Sequence, residues 1–388
     1  MSFIKNIKEG ITRNIVFIGM VSFFMDISSE MIFSILPLFL SNVIGASAPV
    51  IGLIEGIAES TAAILKFVSG WLSDKFGRRK LFMYIGYGLS TLCKPFFAIA
   101  GTWPVVLFAR FSDRLGKGIR GTARDALLAE SSKRRYRGKI FGMHRAMDTA
   151  GAVIGPLLAL LLFSYMGYRG VFWIAVIPAV LAVLMIIPIK VKEKYEEDGF
   201  SSAQAKLSLS GLNRKYRRFV FVIGLFSLAN FSYAFFILRS QNVGASPEYA
   251  IILYLIFNAT YLLLAMPAGM LSDRIGRKNT IMIGFMIFTL IMLGFSMAST
   301  LAHAFILFML YGAFMSIFEG VPRAFVSDLV GDKRRGTALG ILNGITGMMI
   351  LPASFLAGMI WQYVNPAAPF FIGAGISVLS LILMLFMV

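Results

Sequence analysis

The chain is 388 residues long, 58% of them hydrophobic and only 14% charged, with a mean hydropathy of +0.79. Soluble proteins carry roughly a quarter of their residues as charges, so a water-soluble domain is excluded, and the lack of ~10-residue alternating segments excludes a membrane β-barrel. The formal charge of +18 would suit nucleic acid in a soluble protein, but the placement of the basic residues gives it another cause.

Apolar stretches recur from Asn14 to the last residue, each near the ~20 residues with which a helix crosses a hydrocarbon core. About twelve spans are predicted. The first, Asn14–Leu40, carries Asp26 and Glu30 four residues apart, on one helical face. It is too long, and followed too closely by other spans, for a cleaved signal peptide. Val50–Leu72 carries Glu55 and Glu59; Leu81–Ala100 carries Lys94; Pro104–Ile119 carries Arg110, Asp113, Arg114 and Lys117. The next two are Lys139–Tyr165, with His144, Arg145 and Asp148, and Val171–Ile189. After a polar stretch at 190–218 come Phe219–Leu238, Tyr249–Leu271, Thr280–Met297, Ala302–Phe325, Ala338–Trp361 and Phe370–Met387. His303 reads as a loop residue. Trp71, Trp103, Trp173 and Trp361 fall near span ends, where indole rings favour the interface.

Most of the 37 Lys and Arg residues lie in alternate connections, starting with the amino-terminal segment. The opposite connections are short and nearly uncharged. This bias places both termini in the cytoplasm of a cell (inner) membrane and makes the basic runs topology signals, with no nucleic acid as partner. Cys93 is the single cysteine, so no internal disulfide forms. With two His, no H-E-x-x-H and no C-x-x-C, no metal site is expected. No nucleophile motif or nucleotide loop is present, because "GKGIRG" lacks the G-x4-G-K-[ST] spacing. No enzyme activity, catalytic residue or cofactor is therefore expected.

The sequence repeats itself. "GWLSDKFGRRK" (Gly70–Lys80) returns as "GMLSDRIGRKN" (Gly269–Asn279), and "NVIGAS" from Asn42 returns as "NVGAS" from Asn242. Helices 1–6 and 7–12 are thus copies of one unit, giving an N-terminal bundle at 1–189, a cytoplasmic linker at 190–218 and a C-terminal bundle at 219–388. Two parallel six-helix repeats, each with a basic G-x-L-x-D-x-x-G-R-[RK] turn after its second helix, resemble the major facilitator superfamily over essentially the whole chain. The resemblance implies an all-α membrane fold: two pseudo-symmetric six-helix bundles around a cavity open alternately to each side. It also implies gating roles for the turns: Gly70, Asp74, Gly77 and Arg78 with Glu130 in one half, and Gly269, Asp273, Gly276 and Arg277 with Asp328 in the other. Asp74 and Asp273 are also placed to cap the helix that follows each turn.

In the fifth span, Gly142, Gly151 and Gly155-Pro156 follow the helix-5 pattern of proton-driven antiporters, though Ala159-Leu160 stand where that pattern ends in two glycines. Gly151 and Gly155 also form a small-xxx-small face. Arg114 and Gly118 fit the family's R-x-x-x-G element of helix 4, with Lys117 where a Gln is usual.

The halves differ in charge. Asp26 corresponds to Asn230 and Glu59 to Asn258, so the first half keeps acids where the second has neutral residues. The first-half acids are accompanied by Lys94, Arg110, Arg114 and Arg145; the second half has only Arg239, Glu319 and Arg323 at membrane depth. Unpaired charge in low dielectric is costly, so Asp26 and Glu30 are expected to turn inward, toward basic groups of helices 2, 4 or 5. Asp26, Glu30, Glu59 and Asp148 are the proton-coupling candidates. The cavity and substrate candidates are Arg110, Arg114, Lys94, Arg145, Asn230, Asn258, Glu319 and Arg323. Glu55, nearer the outer surface, is expected to be solvated, and Tyr233, Phe235, Phe236 and Tyr261 suggest an aromatic wall.

The expected function is secondary active transport by alternating access, proton-coupled and leaning to efflux or antiport of a small organic solute by a monomer. The alternatives are a proton symporter or uniporter for a small anionic metabolite, and a non-transporting membrane sensor or lipid-handling protein. The partners implied are a small-molecule substrate, protons and the lipid bilayer.

Overall fold

The computed structural model describes residues 10–76, 78–191, 213–330 and 334–388, without the side chains of 67, 68, 70–76 and 134. Gly77 and most of the linker at 190–218 lie outside the described residues, and of Asp74 only the backbone is described. The described part is 86% helical and contains no strand.

The first span consists of α1 (Arg13–Phe33) and α2 (Leu36–Asn42). The break is local chemistry: Pro37 brings no N–H, and its ring would clash with the carbonyl four residues back, that of Phe33. Then come α3 (Ala48–Phe76), α4 (Arg79–Ile99) and α5 (Trp103–Glu130). The fourth span thus continues well past the expected end at Ile119. The charged run is helical because Arg, Lys and Ala are good helix formers and most of its charges turn inward. The 48-residue α6 (Arg137–Leu184) is two spans joined at Gly167, whose φ of 61° only glycine adopts readily.

In the second half, α7 (Arg214–Ser227) and α8 (Ala234–Asn242) form one broken span. No proline interrupts it. Hydroxyls take over instead: Ser232 N donates to Ser354 Oγ at 3.0 Å and Ala234 N to Ser232 Oγ at 3.3 Å. After α9 (Pro247–Ile275) and α10 (Arg277–Met297), α11 (Leu301–Phe318) stops four residues before Pro322, and α12 (Val321–Leu329) restarts the span. The chain ends with α13 (Arg335–Tyr363) and α14 (Ala368–Met387). His303 is not a loop residue but lies in the first turn of α11, capped by Thr300.

Eight helices pass a simple length-and-hydropathy test for crossing a membrane. The test counts α6 once, misses α4 and α5 for their charges, and misses the broken span formed by α7 and α8. With these restored, twelve spans are found among the described residues, the number expected from the sequence.

The helices cluster into two units, Met1–Ile35 with Ile64–Ser201 and Leu36–Ala63 with Ser202–Val388. In the first, Ile15, Ile18, Val21 and Met25 of α1 pack with Met83 and Tyr87 of α4, Leu127 of α5, and Ile140 and Ala182 of α6. In the second, α3 lies backbone to backbone on α13. A Cβ added at Gly52 would collide with Ser354 O, and one at Gly56 would lie 2.8 Å from Leu351 Cα. Ser60 Oγ donates to Gly347 O at 2.7 Å. Small residues permit this close approach, which in lipid supplies the van der Waals contact that holds helices together. The zipper buries Glu55 to 1% exposure, against the expectation of a solvated acid, and Ser232 Oγ approaches its Oε2 at 3.5 Å. The anticipated aromatic wall is largely core: Phe235 and Phe236 are fully buried, and Phe236 stacks on Tyr311 at 4.6 Å.

Candidate functional site

Among the described residues, a dense set of ionisable groups lies inside the first unit, where α1, α4, α5 and α6 meet. Gly151 and Gly155 set the spacing of α1 and α6. A Cβ at 151 would lie 2.6 Å from Phe23 O and 3.0 Å from Asp26 Cβ; one at 155 would lie 2.7 Å from Ile27 O and 2.8 Å from Glu30 Cβ. The two glycines therefore bring α6 against the turns of α1 that carry both acids. Nothing lies within 4 Å of a Cβ at Gly142, so that position has room for a side chain.

Around Ser22 the geometry is polar. Its Oγ is 3.0 Å from His144 Nε2, 3.3 Å from Tyr87 Oη and 3.0 Å from Arg124 Nη1, which donates to it. Asp148 Oδ2 lies 3.6 Å from His144 Nδ1 and 3.7 Å from Arg124 Nη1. Ser22, His144 and Asp148 stand in the order of a hydrolase triad, but an oxygen that accepts from a guanidinium is a poor nucleophile. Asp26 is half-buried, and Asp148, Lys117, Arg124 and Arg120 all act on it electrostatically. Two carboxylates of neighbouring helices thus share Arg124.

Two turns beyond Asp26 on α1, at Phe33, is a second cluster. Phe33 collects three cations around its ring: Arg110 at 3.8 Å, Arg114 at 4.6 Å and Lys94 at 5.3 Å from the centroid. Lys94 Nζ donates to Ser29 Oγ at 2.9 Å and pairs with Asp113 Oδ1 at 3.4 Å. Arg120 donates to Ser90 and covers the Tyr87 ring at 4.7 Å. Lys94, Arg110 and Asp113 are fully buried, and Arg114 and Arg120 nearly so. Lys94, Arg114, Arg120 and Arg110 all act on the single carboxylate of Asp113. Cations held this closely repel: two charges about 8 Å apart at an effective permittivity near 20 cost about 2 kcal/mol. The ring offsets part of this, since a desolvated cation–π contact contributes about 2 kcal/mol.

The other sequence candidates are dispersed. Arg145 is exposed on α6. Glu59 is half-buried in the second unit, where Asn258 turns back on its own helix to donate to Tyr254 O at 3.0 Å. Asn230 is half-buried in the break between α7 and α8. Glu319 closes α11, accepts from Tyr261 Oη at 2.8 Å and lies 3.9 Å from Arg323.

At the basic turns, Arg79 pairs with Glu130 at 2.9 Å, and in the second half Arg277, the counterpart of Arg78, pairs with Asp328 at 3.3 Å. Asp273 does not cap the helix after its turn; it pairs with Arg277 at 2.6 Å, while Gly276 takes the N-cap position with φ 89°. Arg78 is the N-cap of α4 without a side-chain cap bond, and a Cβ at Gly269 would meet open space.

Phe33, Ser29, Ser22, Arg120 and Arg124 escaped sequence reasoning. For one of them a signal existed: Arg110, Arg114, Lys117 and Arg124 fall at i, i+4, i+7 and i+14, a basic stripe on one face. Ending the fourth span at Ile119 cut that stripe short.

A family model described as Major Facilitator Superfamily matches residues 18–241 and 220–388. An uncharacterized MFS-type transporter of Methanocaldococcus jannaschii is 36% identical over 382 residues, covering 97% of this chain and 95% of that protein. The cis,cis-muconate transport protein of Acinetobacter baylyi is 24% identical, covering 79% and 78%. The quinolone resistance protein NorA of Staphylococcus aureus is 23% identical, covering 94% and 93%. Among solved structures, the nucleoside transporter NupG superposes with a TM-score of 0.78 over 97% of this chain and 99% of that one, at 15% identity.

Proposed function

Because the chain belongs to the Major Facilitator Superfamily, a family of multi-pass membrane transporters, we propose that it is a proton-coupled secondary transporter exporting a small organic solute by alternating access. The observation that carries this reading is the pair Asp26 and Asp148, on two helices held together by Gly151 and Gly155 and both acted on by Arg124. A buried carboxylate is stable as an anion only while a cation or hydrogen-bond donor attends it. Movement of α1 against α6 changes which acid Arg124 attends, and the acid left behind takes up a proton. Proton binding is thereby tied to conformation, which is what a gradient needs in order to drive transport.

The export direction is supported by the glycine pattern of helix 5 and by the name of the quinolone resistance relative. The muconate carrier's name equally supports a small organic cargo. Charge asymmetry supports a cell-membrane location with both termini cytoplasmic. Glu30 and Glu59 are further proton sites in this reading; Arg79–Glu130 and Arg277–Asp328 act as cytoplasmic latches, and the protein works as a monomer.

The test is flux in proteoliposomes under an imposed pH gradient. Asp26→Asn is expected to abolish gradient-driven flux and to leave solute exchange without a gradient intact. Equal loss of both would make Asp26 a binding or structural residue; wild-type flux indifferent to the gradient would remove proton coupling altogether.

A further inference from the structure

The repeated turns "NVIGAS" and "NVGAS" have no part in proton coupling, yet the second unit brings both copies to one cavity of about 170 Å³. It lies at the end of that unit opposite the basic turns, where α2 and α8 end and α3 begins. In each copy a glycine with positive φ closes the turn, Gly45 at 70° and Gly244 at 99°. The alanine that follows returns its N–H to the helix: Ala46 N donates to Leu40 O at 2.8 Å and Ala245 N to Ser240 O at 3.0 Å. Both turns thus satisfy their backbone locally, which leaves side chains to face the cavity.

Ser41, Ser47, Gln241, Asn242, Gln362 and Trp361 line it, with Ile51 and Leu238 as apolar neighbours. Among the described residues no charged side chain lines it, and its three carboxamides and two hydroxyls hydrogen-bond to no other described residue. The second copy of the turn gives the contrast: Ser246 Oγ accepts from Tyr249 N at 3.4 Å and donates to Glu248 Oε2 at 2.7 Å. The matching Ser47 lines the cavity instead. An amide at a helix end is ordinarily solvated by itself. Here Gln241 and Asn242 from the end of α8 and Gln362 from the end of α13 converge on one concavity.

We propose that this cavity is a binding subsite for a neutral, polyhydroxylated solute of the size of a short polyol or one sugar ring. The proposal deepens the reading of the chain as a transporter of small organic solutes, and rests on that reading for the role of the site but not for the binding. Residue chemistry selects the class. A carboxamide carries two donors and an acceptor, so it matches a hydroxyl group, which both donates and accepts. A charged solute would shed its water here without gaining a counter-charge, which is costly. Trp361 offers an apolar wall to the C–H face of a ring, and its own ring is held by Phe235 at 5.8 Å and Phe370 at 6.3 Å. The frame is close-packed: a Cβ at Gly358 would collide with Ala48 O, so α13 sits directly on the start of α3. Drug-sized ligands occupy pockets above about 300 Å³, so the volume restricts the occupant to a single small ring or a chain of a few carbons.

The experiment reads the fluorescence of Trp361 in the purified full-length chain in detergent, with Trp71, Trp103 and Trp173 replaced by Phe. The probes are D-glucose, myo-inositol and ribitol, with cyclohexanol (a ring with one hydroxyl) and sodium gluconate (a charged polyol) as controls. At least one of the three polyols is expected to shift the emission saturably, with a midpoint below about 10 mM, while cyclohexanol and gluconate do not. Gln362→Ala and Asn242→Ala, both at exposed positions, are each expected to weaken binding about fivefold or more through the lost hydrogen bond. Should the triple Phe replacement fail to fold, titration calorimetry of the unsubstituted chain with the same solutes reads the same affinities.

The proposal is overturned by no saturable response to any of the three polyols, by an equal response to cyclohexanol, by tighter binding of gluconate, or by unchanged affinity in both substituted proteins. Failure of this subsite is separable from failure of the transport reading. Gradient-driven flux of another organic solute, with no polyol bound, removes the subsite and keeps transport; polyol binding with no flux of any solute keeps the binding site and removes its role in transport.

Discussion

Replacing either member of the Lys94–Asp113 pair should have unequal consequences. At 3.4 Å and an effective permittivity near 20, the pair attracts by about 5 kcal/mol before desolvation. The three neighbouring guanidiniums, taken at about twice that separation, each add about 2 kcal/mol of attraction to Asp113 and the same repulsion to Lys94. Asp113→Asn removes all of the attraction and leaves four buried cations to repel one another. Relief from burying an anion offsets part of this, for a net loss of about 3–5 kcal/mol. Lys94→Met loses the pair and a hydrogen bond to Ser29 worth about 1 kcal/mol. It recovers about 2 kcal/mol from each relieved repulsion, and so should change stability by no more than about 1–2 kcal/mol. Apparent midpoints of thermal unfolding in detergent, followed by tryptophan fluorescence at one scan rate because unfolding of such proteins is commonly irreversible, rank the two variants. If Lys94→Met is as damaging as Asp113→Asn, repulsion among the cations around Phe33 does not decide the ranking and the reasoning is refuted.

Gly151→Ala puts a Cβ 2.6 Å from Phe23 O and should cost about 1–3 kcal/mol through separation of α1 from α6, with loss of transport, whereas Gly142→Ala should be silent. Equal effects at both positions in a stability and flux assay would refute close packing as the reason for the helix-5 glycines. Arg79→Ala and Arg277→Ala remove partly exposed ion pairs and should each change stability by less than about 1 kcal/mol, yet shift the balance between outward- and inward-facing states. Spin-label distances across the bundles that do not move would reduce these pairs to surface decoration. Glu55→Leu should lower the unfolding midpoint, because it leaves Ser232 without its carboxylate acceptor and puts a branched side chain against the α3–α13 zipper; Glu55→Gln should largely restore it. If Gln is as damaging as Leu, it is the charge of Glu55, and not its shape, that the site requires.

Twelve spans, two repeats and the pairing of each basic turn with an acid two helices later are features of chain order, and they were legible because hydropathy and spacing are local. The stripe of Arg110, Arg114, Lys117 and Arg124 was equally local; it was cut by expecting charge to end a membrane helix, when charge facing the interior of a bundle need not. The breaks at Phe33 and Phe318 were available too, each four residues before a proline.

What a helical period supplies is the set of residues sharing a face; what stands opposite that face is decided by packing between helices far apart in sequence. Only the tertiary structure put Phe33 among three cations, made Ser22 the meeting point of Tyr87, His144 and Arg124, and buried Glu55 against α13. A one-residue rotation of any of these helices would turn its side chains by about 100°, with every span and motif still in place. That rotation is fixed by glycine contacts such as Gly151 on Phe23 and Gly52 on Ser354, which pair residues more than a hundred positions apart.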